Sequence, residues 1–118
     1  MAIVDPILFR NLQNEKMNPI GTHNYFVYIV TNAVKTVLYI GVTNDLSVRL
    51  YQHKEDSMNE KTHFAGKYNA YFLIYWERFQ FIEDAIRREK QLKGWSRSKK
   101  EALINAFNPE WKFLNDEI

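Results

Sequence analysis

The sequence lacks cysteine, a long apolar run and a strong imbalance of charge. Without cysteine, its 118 residues can form no disulfide, no thiolate nucleophile and no cysteine-ligated zinc site. No apolar run reaches the roughly 18 residues that a transmembrane helix needs. The first ten residues contain Asp5 and Pro6 where a signal peptide has its apolar segment, and no basic residue precedes them. We therefore expect a cytoplasmic protein with no membrane partner.

The shortage of soft ligands also limits the metals that this sequence can bind. With no cysteine and only three histidines, most of the available ligand atoms are carboxylate oxygens. Oxygen ligands favour hard cations. If a metal binds, it is therefore expected to be a hard cation such as magnesium, with manganese as its substitute.

What the sequence does contain is typical of one soluble globular domain. Hydrophobic residues make up 46% and charged residues 25% of the chain. A chain of this length can bury one core but has no room for a second domain. The aromatic share of 15% suits either a tightly packed core or a surface that stacks on flat ligands.

Positive charge is concentrated in one stretch of the chain. Between residues 82 and 100, seven cations stand against three acids, a net +4, whereas the whole chain carries +2. A local basic face can bind a polyanion. A solvated helix surface is the alternative for any one of these residues. The seven predicted nucleic-acid contacts are Arg87, Arg88, Lys90, Lys93, Arg97, Lys99 and Lys100.

Three apolar runs rich in β-branched and aromatic residues predict strands, over residues 25–30, 37–42 and 70–77. The link between the first two runs is short and polar, which favours an antiparallel hairpin. If the hairpin is centred between residues 33 and 34, Tyr28 lies directly opposite Tyr39, with both side chains on one face of the sheet.

A helix is predicted directly after the second strand and Gly41. Its N-cap would be Thr43 or Asn44, Leu46 and Leu50 form its apolar stripe, and the helix would end near Lys54. Residues 55–69 are polar and show no clear period, which predicts a loop.

Two further helices follow the third strand. The clearest helical pattern covers residues 81–93 and ends at Gly94, with acids in its first turn and lysines in its last. Another helix is predicted from Ser96 to the residue before Asn108.

The order of these elements predicts an α+β fold in a single domain. A small three-stranded antiparallel sheet would be flanked by helices, since strands that are apolar on both faces need cover on both. We assign the domain to residues 25–108 and a C-terminal tail to residues 109–118. Residues 1–24 would form an N-terminal extension with a short helix capped by Asp5, either a docking helix or a dispensable segment.

Three polar residues on the predicted helices are candidates for chemistry. Arg49 and His53 lie one turn apart and so share a helix face. A guanidinium matches phosphate geometry and an imidazole can transfer a proton, although a polar helix edge is the simpler alternative. Glu89 interrupts an apolar stripe, where a carboxylate needs a cation, a metal or water. It would form a salt bridge, to Arg49 or Lys93, or bind a metal.

The segments "FVYIV", "LYIGVTNDLSVRLYQHK" and "AIRREKQLKGWSRSKKEALI" together resemble the GIY-YIG nuclease superfamily, and most closely its small stand-alone bacterial endonucleases. The resemblance covers residues 25–104, about two-thirds of the chain. It implies a three-stranded antiparallel sheet flanked by helices, and hydrolysis of nucleic-acid phosphodiester bonds with one divalent cation. The glycine that begins the first family motif is absent, because that motif is Phe26-Val27-Tyr28 here.

The resemblance gives the two sequence motifs their roles. Tyr28 matches the tyrosine of the first motif and Tyr39 that of the second. Gly41 matches the glycine that closes the second motif, where a side chain would obstruct the site. A tyrosine acts as a base only where a neighbouring cation favours its deprotonated form. Sequence alone does not decide which tyrosine is the base.

The resemblance also gives roles to helical residues. Arg49 matches the arginine that contacts the phosphate, His53 a histidine found in many members, and Glu89 the glutamate that holds the metal. His63 falls roughly where some homing enzymes have another histidine. Tyr68 matches a tyrosine of the small members, without an assigned role. An asparagine near the site in other branches has no clear match here, with two candidates, Asn105 and Asn108.

Together these features predict a metal-dependent endonuclease that acts on nucleic acid, DNA rather than RNA, in repair or recombination. Trp76 and Trp95 would be stacking or core residues. The alternative function is a nucleic-acid-binding module that keeps the fold and does not cut. We expect a monomer or a weak dimer.

Overall fold

The structure is a computed structural model, and it describes residues 23–58 and 69–118. The predicted N-terminal helix, His63 and Tyr68 lie outside these ranges. No helix within them is long and apolar enough to cross a membrane. The strands are β1 Tyr25–Thr31, β2 Leu38–Thr43 and β3 Phe72–Phe79. The helices are α1 Leu46–Met58, α2 Ile82–Lys93 and α3 Arg97–Phe107, and a short 3-10 helix covers Asn115–Glu117.

The three strands form one antiparallel sheet in the order β2-β1-β3, so the predicted α+β fold is confirmed. The predicted hairpin register is wrong by two residues, because Tyr28 lies opposite Gly41 and Val30 lies opposite Tyr39. The turn explains the difference. The Asn32 side-chain oxygen accepts the backbone N–H groups of residues 36 and 37, at 2.8 Å and 3.1 Å, which moves the centre of the loop one residue along the chain. A shift of two positions preserves the face, so Tyr28 and Tyr39 share one as predicted.

The two faces of the sheet carry different side chains, because successive residues of a strand point to opposite sides. One face packs against α2 and α3, and we call it the aliphatic face. The other packs against α1 and carries both motif tyrosines, and we call it the tyrosine face. The buried members of the aliphatic face include Val27, Ile29, Ile40, Val42, Ala85, Leu92 and Ile104. Those of the tyrosine face include Tyr28, Val30, Leu46, Leu50, Leu73 and Leu114.

Helix α1 begins and ends later than its sequence predicts. Its cap is Asp45 rather than residue 43 or 44, since Asp45 Oδ1 accepts the backbone N–H of Val48 at 3.1 Å. The helix continues four residues past Lys54, to Met58. That last turn is polar and has no apolar repeat, so the hydrophobic pattern could not reveal it.

The ends of α2 and α3 agree with the prediction. Gly94 caps α2, and its backbone N–H donates to the carbonyls of residues 90 and 91. The Ser96 side chain caps α3 by accepting the backbone N–H of Lys99 at 3.2 Å. Helix α3 ends at Phe107, directly before Asn108.

Two asparagines attach the C-terminal segment to β3. A register shift between β1 and β3 leaves Ile74 out of the strand pairing, and Asn108 Nδ2 donates to its carbonyl at 3.1 Å. Asn115 Oδ1 accepts the Leu73 N–H, and its Nδ2 donates to the Tyr71 carbonyl, both at 2.9 Å. Asn108 therefore satisfies the backbone of a bulge, a structural task.

Candidate active site

The ring of Tyr28 lies directly against Gly41 on the tyrosine face. A Cβ added to Gly41 would lie 2.4 Å from the Tyr28 hydroxyl oxygen and 2.5 Å from its Cζ atom. Only glycine leaves room for an aromatic ring this close to the strand. The space that glycine was expected to keep clear is thus occupied by the ring of Tyr28.

The Tyr28 hydroxyl joins two side chains from α1. Arg49 Nε donates to it at 3.3 Å, and His53 Nε2 lies 2.8 Å from it. A guanidinium only donates hydrogen bonds, so the hydroxyl accepts from Arg49 and can give its own proton to His53. The i, i+4 spacing on α1 therefore brings a cation and a proton acceptor to one phenol oxygen, as the sequence predicted for a shared helix face.

This cluster is almost fully buried. Tyr28, Arg49 and His53 are 1%, 5% and 1% exposed. Burying a charged guanidinium costs free energy, which hydrogen bonds only partly offset. Titratable and charged groups gathered at such a cost favour a functional site over a purely structural one.

Tyr39 forms the more exposed side of the cluster. Its ring centroid lies 5.2 Å from that of His53 and 6.5 Å from that of Tyr28, and the residue is only partly buried. Tyr39 is therefore the most exposed of the four predicted site residues on this face.

Gln52 is a contact that the sequence prediction missed. Arg49 Nη1 donates to its side-chain oxygen at 3.0 Å. The i, i+3 spacing on one helix is the sequence signal that could have found it. Gln52 holds the guanidinium from a second side and fixes its orientation.

Glu89 is fully buried on α2. Among the described residues, neither of its carboxylate oxygens has a hydrogen-bond donor within 3.5 Å, and its ion pair is with Lys93, whose Nζ lies 3.6 Å from Oε1. Burial raises the pKa of the Glu89 carboxyl above its ordinary value, and the charge of Lys93 opposes that rise. Of the two predicted salt-bridge partners, Lys93 rather than Arg49 is the one observed.

Glu89 lies on a helix that packs against the aliphatic face. Its buried neighbours along the helix stripe, Ala85 and Leu92, belong to the aliphatic face. Tyr28 and α1 lie on the opposite face of the sheet. No hydrogen bond or ion pair joins Glu89 to Tyr28, Tyr39, Arg49 or His53.

Among the described residues, the fit of a metal rests on Glu89. Within residues 23–58 and 69–118, no three histidine or acidic side chains come close enough together to hold a metal ion. The two buried oxygens without hydrogen bonds are nevertheless suitable ligand atoms for a hard cation. Mg²⁺ is commonly held by one or two carboxylates together with water and substrate phosphates.

The seven predicted nucleic-acid contacts divide into two groups. Four cations form ion pairs: Arg87 with Asp84, Arg88 with Glu77, Lys93 with Glu89, and Arg97 with Glu101. The other three, Lys90, Lys99 and Lys100, form none within the part of the chain that the structure describes. Arg88 and Lys99 each lie 5.2 Å from the centre of the Trp95 ring, so this tryptophan already contacts two cations.

Comparison with known proteins establishes the class. Residues 24–102 match the family described as the GIY-YIG catalytic domain. The chain therefore belongs to the GIY-YIG family, which confirms the resemblance seen in the sequence motifs.

Two curated relatives and one solved structure that resemble this chain are UPF0213 proteins. A UPF0213 protein of Bacillus pumilus (strain SAFR-032) is 32% identical over 88 residues, covering 75% of this chain and 86% of that protein. A UPF0213 protein of Natronomonas pharaonis is 31% identical over 81 residues, covering 69% and 91%. The solution NMR structure of a UPF0213 protein from Bacillus halodurans has a TM-score of 0.48 and 26% identity, and covers 75% of this chain and 89% of that one.

Proposed function

We propose that this protein is a metal-dependent endonuclease that hydrolyses phosphodiester bonds in nucleic acid, DNA rather than RNA, in repair or recombination. Membership of the GIY-YIG family supports this function. The observation that carries it is the buried cluster of Tyr28, Arg49 and His53. A protein that only binds nucleic acid needs exposed basic residues and gains nothing from a buried arginine bonded to a tyrosine.

In this proposal Tyr28 accepts the proton of the attacking water. A positive guanidinium beside the phenol oxygen stabilises its deprotonated form. His53 Nε2, 2.8 Å away, takes up the phenol proton and so makes Tyr28 available as a base. Tyr39, partly exposed at the side of the cluster, would orient the water or the phosphate.

Arg49 has a second task in the proposed reaction. Its guanidinium would stabilise the additional negative charge that the phosphate acquires in the transition state. Gln52 and Tyr28 hold that guanidinium in place before substrate arrives, which reduces the reorganisation that the reaction requires.

Glu89 would hold the divalent cation, Mg²⁺ or Mn²⁺, because its two buried oxygens accept no hydrogen bond. The proposal requires that the substrate phosphate reach both Glu89 and the cluster, where a bound cation would neutralise phosphate charge and stabilise the leaving oxygen. Lys93, 3.6 Å from Oε1, is the cation that an arriving metal would replace.

The test is cleavage of single-stranded, duplex and branched DNA, and of RNA, with Mg²⁺, with Mn²⁺ and with a chelator. We expect metal-dependent nicking of DNA that is lost in Tyr28→Phe and in Glu89→Gln. Glu83→Gln is the matched control, since it removes an exposed carboxylate from the same helix. Binding without cleavage on every substrate and with every metal would contradict the proposal and identify a binding module.

A further inference from the structure

A cavity of about 420 Å³ opens on the tyrosine face beside the cluster. Two aromatic side chains, from β1 and β3, form one part of its wall. The first residues of α1 and the residue that caps this helix form another. The residues that matter for its chemistry are Asn24, Phe26, Asn44, Asp45, Trp76 and Glu117.

The cavity lies next to Tyr28 in the sheet. Phe26 precedes Tyr28 by two residues on β1, and Trp76 is the register partner of Tyr28 on β3. Two residues along a strand span about 6.8 Å. A sugar separates a phosphate from its base by a comparable distance, so a nucleotide with its phosphate at the cluster can place its base in this cavity.

The aromatic walls suit a flat ring. The Phe26 and Trp76 rings are 6.0 Å apart between centroids and inclined at 69°. A planar ligand that stacks on one of these rings therefore presents its edge to the other, and both are favourable aromatic geometries. Stacking of this kind is available to every nucleobase.

The charge of the cavity excludes a phosphate and favours an N–H donor. Asp45 and Glu117 both line it and are both acidic. Their charge opposes an anion, although backbone N–H groups at the start of a helix otherwise attract one. Asp45 Oδ1 accepts the Val48 N–H, and its other oxygen accepts no hydrogen bond within the described residues. That oxygen is an acceptor for an amino group.

We propose that this cavity is a nucleobase subsite that prefers a base with an exocyclic amino group, adenine, cytosine or guanine, over thymine or uracil. The position of the phosphate rests on the proposed endonuclease function. Amino groups donate to carboxylates, as in the recognition of cytosine by acidic side chains. Where cytosine carries its amino group, thymine and uracil carry a carbonyl, which Asp45 would repel, and their single N3–H donor is flanked by two carbonyls; guanine donates from its amino group at C2.

The experiment measures base binding without cleavage. The full-length ¹⁵N-labelled protein is titrated with free nucleosides, which carry no phosphate, while the indole N–H signal of Trp76 is followed by NMR and assigned through Trp76→Phe. We expect cytidine, adenosine and guanosine to shift this signal with affinities about tenfold higher than those of thymidine and uridine. In Asp45→Asn, which retains a good N-cap residue, that difference should fall to about twofold or less. Glu55→Gln is the matched control on α1.

The outcomes separate this inference from the proposed function. A Trp76 shift with amino-bearing nucleosides, in a protein that cleaves nothing, would support the subsite and contradict the endonuclease. A Trp76 signal unmoved by every nucleoside, in a protein that does cleave, would overturn the subsite alone. Equal shifts with thymidine and cytidine, or a preference that survives Asp45→Asn, would overturn the proposed selectivity.

Discussion

The buried charged groups on the two sides of the sheet differ in their hydrogen bonding. On the tyrosine face, Arg49 is buried with hydrogen bonds to a tyrosine and a glutamine on either side. On the helix that covers the aliphatic face, Glu89 is buried, and the described part of the chain gives it an ion pair at 3.6 Å but no hydrogen bond to either oxygen. The first group is held in a defined orientation, whereas the second retains unused ligand atoms.

This difference separates two kinds of site. A hydrogen-bonded cluster is preorganised for proton transfer and for charge stabilisation, because its donors already have fixed directions. A buried carboxylate without donors costs free energy in the charged form and is lowered in energy when a cation binds. The tyrosine face therefore carries the proposed proton chemistry, and α2 the proposed cation ligand.

The largest effect is expected from breaking the tyrosine face at Arg49. Arg49→Met keeps much of the apolar stem but removes the donor to Tyr28. If Arg49 stabilises the transition state, single-turnover cleavage should slow by about 10²–10³-fold. Lys54→Met, an exposed cation replaced on the same helix, is the control. An equal loss of rate in both variants would contradict a specific role for Arg49.

Gly41→Ala should disrupt the same face without removing a polar group. The new Cβ would lie 2.4 Å from the Tyr28 hydroxyl and 2.5 Å from Cζ, so the ring must move. Overpacking of this kind costs about 1–3 kcal/mol, measurable as a lower free energy of unfolding in urea. Cleavage should also fall, because the ring carries the proposed base.

Gly94→Ala provides the control for that substitution. Its Cβ would meet the Gln91 carbonyl oxygen at 3.5 Å, an ordinary contact, and the residue has a φ of −81° that any residue can adopt. Its free energy of unfolding should change by no more than about 0.5 kcal/mol. Similar losses at both glycines would show that the close approach to Tyr28 is not what Gly41 provides.

Local signals were sufficient to predict most of the fold. The strands follow from apolar runs, and the ends of α2 and α3 from Gly94 and Ser96, whose caps need only neighbouring backbone. The hairpin register was wrong because it depends on the Asn32 side chain, which bonds four and five residues ahead. Those hydrogen bonds form only in the folded turn, so the propensities of the individual residues do not predict them.

The sequence indicated which residues belong to the candidate site better than it indicated how those residues are arranged in space. Helical spacing placed Arg49 and His53 on one face, and their shared contact with Tyr28 bears out that spacing. The same spacing showed that Glu89 points to the core, but a helix pattern does not specify which face of a sheet the helix covers. That choice depends on packing between elements distant in sequence, here α2 against the aliphatic face.

A smaller effect, of opposite sign, is expected on α2. Glu89→Gln removes a buried charge and keeps the shape, so in the presence of a chelator the free energy of unfolding at neutral pH should rise by about 1 kcal/mol. The gain is modest because the substitution also removes the ion pair with Lys93. Mn²⁺ should stabilise the native sequence and Glu83→Gln but not Glu89→Gln, as measured by thermal unfolding. Destabilisation of Glu89→Gln in chelator would mean that the ion pair with Lys93 outweighs the cost of burial.

The smallest effect is expected on nucleic-acid binding by the cations of residues 87–100, on α2, on α3 and between them. Lys90, Lys99 and Lys100 form no ion pair among the described residues, whereas Arg87, Arg88, Lys93 and Arg97 already have carboxylate partners. Replacing one unpaired lysine, as in Lys90→Ala, should reduce the slope of log binding constant against log salt by about 1 and weaken all sequences alike. Lys54→Ala, outside this stretch, should leave the slope unchanged.

Arg87→Ala should reduce the salt slope by less than Lys90→Ala, because its partner Asp84 already neutralises much of its charge. If Arg87→Ala changes the slope as much as Lys90→Ala, ion pairing within the free protein does not decide which cations meet the phosphate backbone.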